Sequence, residues 1–288
     1  MVYIWDMEKL IFLKLGGSLI TDKERPRTAR VDVLAHLCRQ IADCYARDRN
    51  LSLLIGHGSG SFGHVAAKKY ATRQGIVPSL TSPNSFPLKG KARMGPYWHG
   101  FTEVWHEARE LNKIVMDAFR AAKIPALAIS PSSGVVARDG KVDSWSIEPI
   151  KRALAEGIVP IVYGDVVFDE ILGGTILSTE ELFIFLAREL HPQRILLAGL
   201  EDGIYADFPA RKRRVARVSP ASYPEIRRSI GVSAGTDVTG GMDSKVEQML
   251  KLVEEIPALA VQIFSGVGEG NLGRVLNGEE LGTLIYTN

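Results

Sequence analysis

Residues 51–64 read Leu-Ser-Leu-Leu-Ile-Gly-His-Gly-Ser-Gly-Ser-Phe-Gly-His, and their types and spacing suit the handling of an anion. A short apolar run, the pattern of a buried strand, breaks into Gly56, Gly58, Gly60 and Gly63 and then into a helix-compatible pattern from Val65 to Gln74. Strand, glycine loop and helix together set bare backbone N–H groups and a helix N-terminus against negative charge. Glycines suit that task because a Cβ would hold phosphate oxygens away and because such loops use φ > 0. A purely structural glycine turn is the competing reading. His64 is either a donor to a bound phosphate or a plain helix-capping residue.

Cations and one acid stand at comparable places. Lys14 lies in the apolar run Leu10–Leu15, beside the turn Gly16-Gly17-Ser18, where an unpaired ammonium is costly. It is either an edge-strand residue in water or a lysine aimed at phosphate from the strand's C-terminal end. Lys23 follows on a polar loop, where it would ordinarily be a surface residue. Lys245 sits one turn into a helix opened by a third glycine turn, with Gly240 and Gly241. Asp165 ends the apolar run Ile158-Val-Pro-Ile-Val-Tyr-Gly164, and open α/β sheets bind ligands at that edge.

Gly58-x-Gly60-x-x-Gly63 also matches the dinucleotide-binding fingerprint. That fingerprint requires an acid about 20 residues on, at the end of a second strand. Here Ile76–Phe86 is rich in Pro and Ser and holds no acid. A phosphate cradle without a dinucleotide is the better reading.

Composition narrows the class. With 288 residues, 45% hydrophobic and 24% charged, the chain suits one large α/β domain or two small ones. A net charge of +2 gives no argument for nucleic acid. The basic run Ala210–Arg217 lacks interleaved aromatics and reads as a solvated loop that can reach a nucleotide. Cys38 and Cys44 share one expected helix at a spacing that fits neither a metal pair nor a disulfide framework. Leu10–Leu13 is too short for a secretory leader, and no apolar run reaches the length of a membrane span. A cytoplasmic protein without a membrane partner is the expectation.

Positioning such groups requires alternating strands and helices. Periodicity predicts strands at Leu10–Leu15, Leu51–Ile55, Pro125–Ile129, Ile158–Tyr163, Arg194–Ala198, Leu259–Phe264 and Thr283–Tyr286. It predicts helices at Val31–Arg47, Tyr97–Ala122 and Ile147–Glu156, a helix start at Ser178-Thr179-Glu180-Glu181, and a helix running to Glu255. Val135–Trp145, with Asp139-Gly140 at its turn, and Val166–Leu177, with Gly173-Gly174, read as hairpins. Residues 77–96 form a long Pro- and Ser-rich loop of the kind that serves as a lid or mobile segment. The fold class is α/β: a three-layer αβα sandwich around a mainly parallel sheet, one domain over residues 1–288. A soft boundary near residue 170 separates an acceptor-binding half, about 1–170, from a nucleotide-binding half, about 171–288.

Lys14-Leu-Gly-Gly-Ser18, the 56–64 loop, Tyr163-Gly-Asp165, Asp202-Gly-Ile-Tyr205 and Thr236-Asp-Val-Thr-Gly-Gly-Met-Asp-Ser-Lys245 together resemble the amino acid kinase superfamily, over Leu10–Tyr286. The Ser61-Phe-Gly-His64 ending and the Thr236–Met242 run resemble its isopentenyl phosphate kinases, although Ser178-Thr179-Glu180 stands where many relatives carry Ser-Gly-Asp. The resemblance implies transfer of the γ-phosphoryl of ATP to isopentenyl phosphate, with Mg²⁺ carried mainly on ATP oxygens and no protein metal ligands. Other small phosphate or phosphonate acceptors, as in fosfomycin kinase, and a non-catalytic nucleotide-binding regulator are the alternatives. A homodimer is an option, with no interface legible.

On that resemblance Lys14, Lys23, His64, Asp165 and Lys245 are the catalytic candidates, Asp165 holding the lysines by charge pairing. Backbone N–H groups of Gly17, Gly58, Ser59 and Gly60 cradle phosphoryl oxygens, and Gly63 joins them among the substrate-binding residues. Tyr70, Met94, Phe101, Ile129, Trp145 and Ile147 are candidate walls for the apolar tail. Gly16, Gly17, Ser18, Ser178, Gly240 and Gly241 join Lys14 and Lys245 around ATP, with Asp202 and Tyr205 near its ribose and base.

Overall fold

Leu10–Leu15 (β1) is apolar on both faces, as a strand covered by helices on either side must be. A computed structural model describes residues 9–76, 95–207, 210–229 and 241–287. The long loop, from residue 77 to 94, and the third glycine turn, with Gly240, lie outside the described residues, as does Met94.

Around β1 the chain runs as follows. A single turn, Gly17–Ile20 (α1), leads to Val31–Arg47 (α2), Ser52–His57 (β2) and His64–Tyr70 (α3). The long helix Pro96–Ala121 (α4) and Ala126–Ala128 (β3) precede the hairpin Val135–Arg138 (β4) and Lys141–Trp145 (β5). Then come Glu148–Ala155 (α5), Val159–Tyr163 (β6), a second hairpin Asp165–Asp169 (β7) and Gly173–Leu177 (β8), and Thr179–Leu190 (α6). Arg194–Gly199 (β9) is followed by Ile204–Tyr205 (β10), Arg214–Val215 (β11), Arg217–Val218 (β12) and Tyr223–Ser229 (α7). Gly241–Glu255 (α8), Ala260–Ser265 (β13), Asn271–Leu276 (α9) and Thr283–Ile285 (β14) close the fold.

Eight strands form one sheet in the order β12-β14-β13-β9-β1-β2-β6-β3, parallel except where β13 meets β14. Lys14 is therefore central, between Gly56 of β2 and Leu197 of β9, and the edge-strand reading falls away. Successive side chains of β1 face opposite layers. Ile11, Leu13 and Leu15 pack with α2, α4 and α9, including Leu34, Leu111 and Leu272. Leu10 and Phe12 pack with α6 and α8, including Leu186 and Met249. These two cores make the three layers. Phe12 meets Phe183 of α6 at 5.1 Å between ring centroids, both fully buried. Each such ring contributes roughly 1.5–3 kcal/mol by leaving water. Lys14 lies next in the same row as Leu10 and Phe12, so it too faces α6.

The two expected hairpins join into a separate four-stranded sheet, β5-β4-β7-β8. Asp139 and Gly140 carry φ of 50° and 74°, the left-handed pair that a two-residue turn needs. The buried Asp169 carboxylate accepts backbone N–H bonds from Asp139, Gly140, Ile171 and Leu172, tying one hairpin turn to the other. Those four donors outweigh burial and hold its carboxyl below the usual carboxylate range. The basic run is not wholly loop: β11 pairs with β10, and β12 adds an edge to the main sheet beside β14. Helix α9, within the glycine-rich stretch before the last strand, has no counterpart in the sequence reading.

Candidate active site

The site forms where β1, β2, β6 and β9 end and their loops turn over the sheet. After β1 the chain turns at Gly16, whose N–H bonds the carbonyl of Ala198 at 2.8 Å. After β2 it turns through Gly58–Gly60. The two turns pack backbone to backbone: a Cβ on Gly17 would lie 2.5 Å from the nitrogen of Gly60. Gly60 itself has φ of 54°. Thr21 clamps the pair, donating its hydroxyl to the Gly17 carbonyl at 2.7 Å and accepting from the Ser61 N–H at 2.9 Å. Gly63, at φ 78°, precedes His64, which begins α3 rather than capping it.

Above these turns lies a cavity of about 320 Å³. Of the residues expected from sequence, Lys14, Gly16, Gly17, Ser18, Lys23, Gly58, Ser59, Gly60, His64, Ser178 and Lys245 line it. Glu180 and Glu201 also line it. Gly63, Asp165, Asp202 and Tyr205 do not, and the surroundings of Gly241, like those of Gly240, lie outside the described residues.

Glu180 is the acid that meets the lysines, a residue that sequence alone marks only as part of a helix start. It is buried, pairs with Lys14, and lies 3.8 Å from Lys245. Burial pushes its carboxyl up, but Lys14 and Lys245 more than offset that and hold it below its usual value. Its place follows from α6. Ser178 accepts from the Glu181 N–H while Glu181 accepts from the Ser178 N–H, a reciprocal cap that fixes the helix start. Glu180 then falls three residues before Phe183, on the stripe that faces β1. The row Phe12, Lys14 on the strand matches the row Phe183, Glu180 on the helix. That spacing is the signal by which the sequence could have disclosed it.

Asp165 corrects the expectation that it pairs with the lysines. It starts β7, fully buried, and takes hydrogen bonds from the Val166 N–H at 2.8 Å and the Ser130 hydroxyl at 3.4 Å. Ser130 and Ser132 hydroxyls are 2.8 Å apart, and the Trp105 indole donates to Ser132 at 3.1 Å. Burial pushes the Asp165 carboxyl up to about 6, opposed by the Ser132, Val166 and Ser130 donors.

Asp202 accepts from the Tyr205 hydroxyl and from Arg214 at 2.8 Å, so these three groups close on one another beside the cavity. Glu201 is held by Arg211 at 3.0 Å.

The expected apolar walls are dispersed. Trp145 and Ile147 belong to the core beneath α6, where Trp145 stacks on Phe185, and Ile129 packs against the same core. Phe101 lies elsewhere, clustered with Ala67, Val104 and Val166 and flanked by Trp98, Trp105 and Ile176. Tyr70, at the end of α3, packs against Gly100 of α4, where a Cβ would lie 2.2 Å from its own. None of these five lines the cavity; Ile176 does, and it connects the cavity to the Phe101 cluster. Among the described residues no helix is long and apolar enough to cross a membrane.

The whole chain resembles known proteins in sequence and fold. The sequence model of the amino acid kinase family matches residues 9–265. An isopentenyl phosphate kinase of Methanothermobacter thermautotrophicus is 34% identical over 96% of this chain and 98% of its own. One of Methanocaldococcus jannaschii is 31% identical over 96% and 98%. A solved isopentenyl phosphate kinase structure superposes with a TM-score of 0.77 at 30% identity, covering 96% of this chain and 99% of the other. By the family match over residues 9–265 and these full-length relatives, the chain belongs to the amino acid kinase family, among its isopentenyl phosphate kinases.

Proposed function

We propose that the protein transfers the γ-phosphoryl group of ATP to isopentenyl phosphate, giving isopentenyl diphosphate and ADP. The observation that carries this reading is a cavity lined together by Lys14, Lys23, Lys245, His64 and the Gly58–Gly60 backbone, with Glu180 in its wall against the lysines. A phosphate monoester has a second pKa near ~6, so at neutral pH the acceptor is largely a dianion and is itself the nucleophile. No general base is required. One acceptor oxygen forms the new bond to the γ-phosphorus as the bond to the β,γ-bridging oxygen breaks, and ADP leaves with that electron pair. The obstacle is the meeting of two anions, so catalysis rests on position and positive charge.

Lys14 is assigned to the transferring phosphoryl, Lys23 and His64 to the acceptor phosphate, and Lys245 to the ATP phosphates. The backbone N–H groups of Gly17, Gly58, Ser59 and Gly60 are assigned to phosphoryl oxygens. Glu180 holds Lys14 and Lys245 toward one another until phosphates replace it as their partner. Asp202 and Tyr205 are assigned to the nucleoside end, just outside the cavity. The carboxylates of the cavity are already engaged, Glu180 by lysines and Glu201 by Arg211. That donor set fits a Mg²⁺ ion arriving on ATP oxygens and keeping most of its waters. Such an ion neutralises phosphate charge. The five-carbon tail is assigned to the side of the cavity where Ile176 leads to the Phe101 cluster.

The test is ADP release with and without isopentenyl phosphate, beside other small phosphates and phosphonates. Stoichiometric ADP and isopentenyl diphosphate are expected. ATP turnover indifferent to isopentenyl phosphate would overturn the reading.

A further inference from the structure

His57, the last residue of β2, is itself assigned no contact with substrate, yet it joins the elements that carry the groups that are. It is 1% exposed. Its Nδ1 lies 3.2 Å from the Gly58 carbonyl, and its Nε2 lies 3.1 Å from the side-chain amide of Asn112 on α4. Its ring stacks on Tyr163, at the end of β6, with centroids 5.3 Å apart. Its carbonyl accepts from the Gly164 N–H at 3.1 Å and from the Thr179 hydroxyl at 2.7 Å. Thr179 is the first residue of α6, immediately before Glu180. Its methyl group fills the space over Gly56, where a Cβ would come within 2.4 Å of it. The Gly58–Gly60 turn, the end of β6, α4 and the helix that bears the lysine-holding acid all meet here.

We infer that Thr179 and His57 are positioning residues for phosphoryl transfer: the hydroxyl-to-carbonyl bond sets where Glu180 and its lysines stand relative to the N–H groups of the Gly58–Gly60 turn. The kinetic part of this inference rests on the kinase reading above. The Thr179 methyl lies over Gly56, and the hydroxyl-to-carbonyl bond is what fixes the distance. Misplacement of reacting groups by about 1 Å can cost on the order of 100-fold in rate. The His57 carbonyl keeps its bond from Gly164 when the hydroxyl is removed, so the fold should survive a change that loosens the turn.

The experiment compares Thr179→Val, which keeps the shape and deletes the hydroxyl, with Thr179→Ser, which restores it. Two readouts are taken. Amide exchange of Ser59–Phe62, measured without substrate, should accelerate in Thr179→Val and stay near wild type in Thr179→Ser. In turnover, Thr179→Val should lose roughly tenfold in kcat with both KM values within about twofold, and Thr179→Ser should recover most of it. Asn112→Leu, which cuts the link to α4, should also accelerate exchange in the same turn. Unchanged exchange in Thr179→Val overturns the inference, as does an equal kcat loss in the valine and serine variants. Exchange is independent of the acceptor, so a protein that ignores isopentenyl phosphate would sink the kinase reading and leave this result standing on its own.

Discussion

Lys14 and Glu180 form an ion pair with both side chains nearly out of water, one on the central strand and one in the first turn of α6. Removing one partner of a buried pair leaves the other uncompensated, at a cost of roughly 3–5 kcal/mol. Glu180→Gln should therefore lower the melting temperature by several degrees. Saturating ADP should restore part of that loss, because nucleotide phosphates then balance the stranded lysines. Turnover should fall at least tenfold, since the lysines are no longer held in register. Thermal unfolding with and without ADP checks this, and an unchanged melting temperature without nucleotide would refute the role given to Glu180.

Lys14→Ala tests the other half of the pair. Its charge is assigned to the phosphoryl in flight, so kcat should drop on the order of 100-fold or more, with a smaller change in ATP affinity. Steady-state kinetics beside ATP titration separate the two. Near-normal kcat would leave Lys14 only a structural partner of Glu180.

Asp165 should respond to pH in the opposite sense to an ordinary salt-bridged acid. Burial raises it from 3.8 to about 6 in the fold. The folded state then holds the proton more tightly than the unfolded chain. Stability from this group is present below about pH 4 and is lost as pH rises toward 6. At pH 7 the ionised carboxylate in its dry site costs at most about 3 kcal/mol by the size of that shift. Asp165→Asn keeps the shape and can still accept from Val166. It should raise the melting temperature at pH 7, leave it nearly unchanged at pH 4, and cost less activity than Glu180→Gln. Unfolding curves across pH 4–7 decide it; a variant less stable at pH 7 than wild type would overturn it.

What the sequence disclosed was local. Helix Val31–Arg47 appears at the bounds its apolar spacing indicated, and the Asp139-Gly140 turn has the backbone its residue types demand. Lys14 and the Gly58–Gly60 turn were visible because glycine spacing and a lysine in an apolar run need no partner to be noticed. Glu180 was missed because its burial depends on which strand face α6 covers, a relation between residues 166 positions apart. Asp165 was given its role by position at a strand end, but its side chain is occupied by Val166 and Ser130. The wall residues scattered because an aromatic or branched side chain fits either core equally well. Only the sheet decides that Trp145 lies under α6 while Phe101 faces the other cluster. Strands β11 and β12 were hidden in a basic run because edge pairing with β10 and β14 is settled by those partners.

Acceptor length should be set where Ile176 meets the Phe101 cluster. Each methylene fitted to or excluded from an apolar pocket is worth about 1–3 kcal/mol, or 10- to 200-fold. Ile176→Ala should shift kcat/KM toward longer prenyl phosphates by at least tenfold relative to isopentenyl phosphate. Ile147→Ala, in the core beneath α6, should change stability but not that ratio. Identical chain-length profiles for Ile176→Ala and wild type would place the tail elsewhere.

His64 bears most directly on the identity of the acceptor. It begins α3 and lines the cavity with Lys23 and the Gly58–Gly60 turn, on the side assigned to the acceptor phosphate. An imidazole donor there is useful only against an anion, and its charge is tunable near neutral pH. Deleting a hydrogen bond to a charged group costs roughly 1.5–3 kcal/mol, which is about 10- to 150-fold in kcat/KM for the acceptor. His64→Ala should show that loss while the KM for ATP changes little. His64→Gln keeps one donor and should retain part of the activity. A large rise in the KM for ATP with acceptor kinetics untouched would move His64 to the nucleotide and remove the strongest local support for a phosphate acceptor.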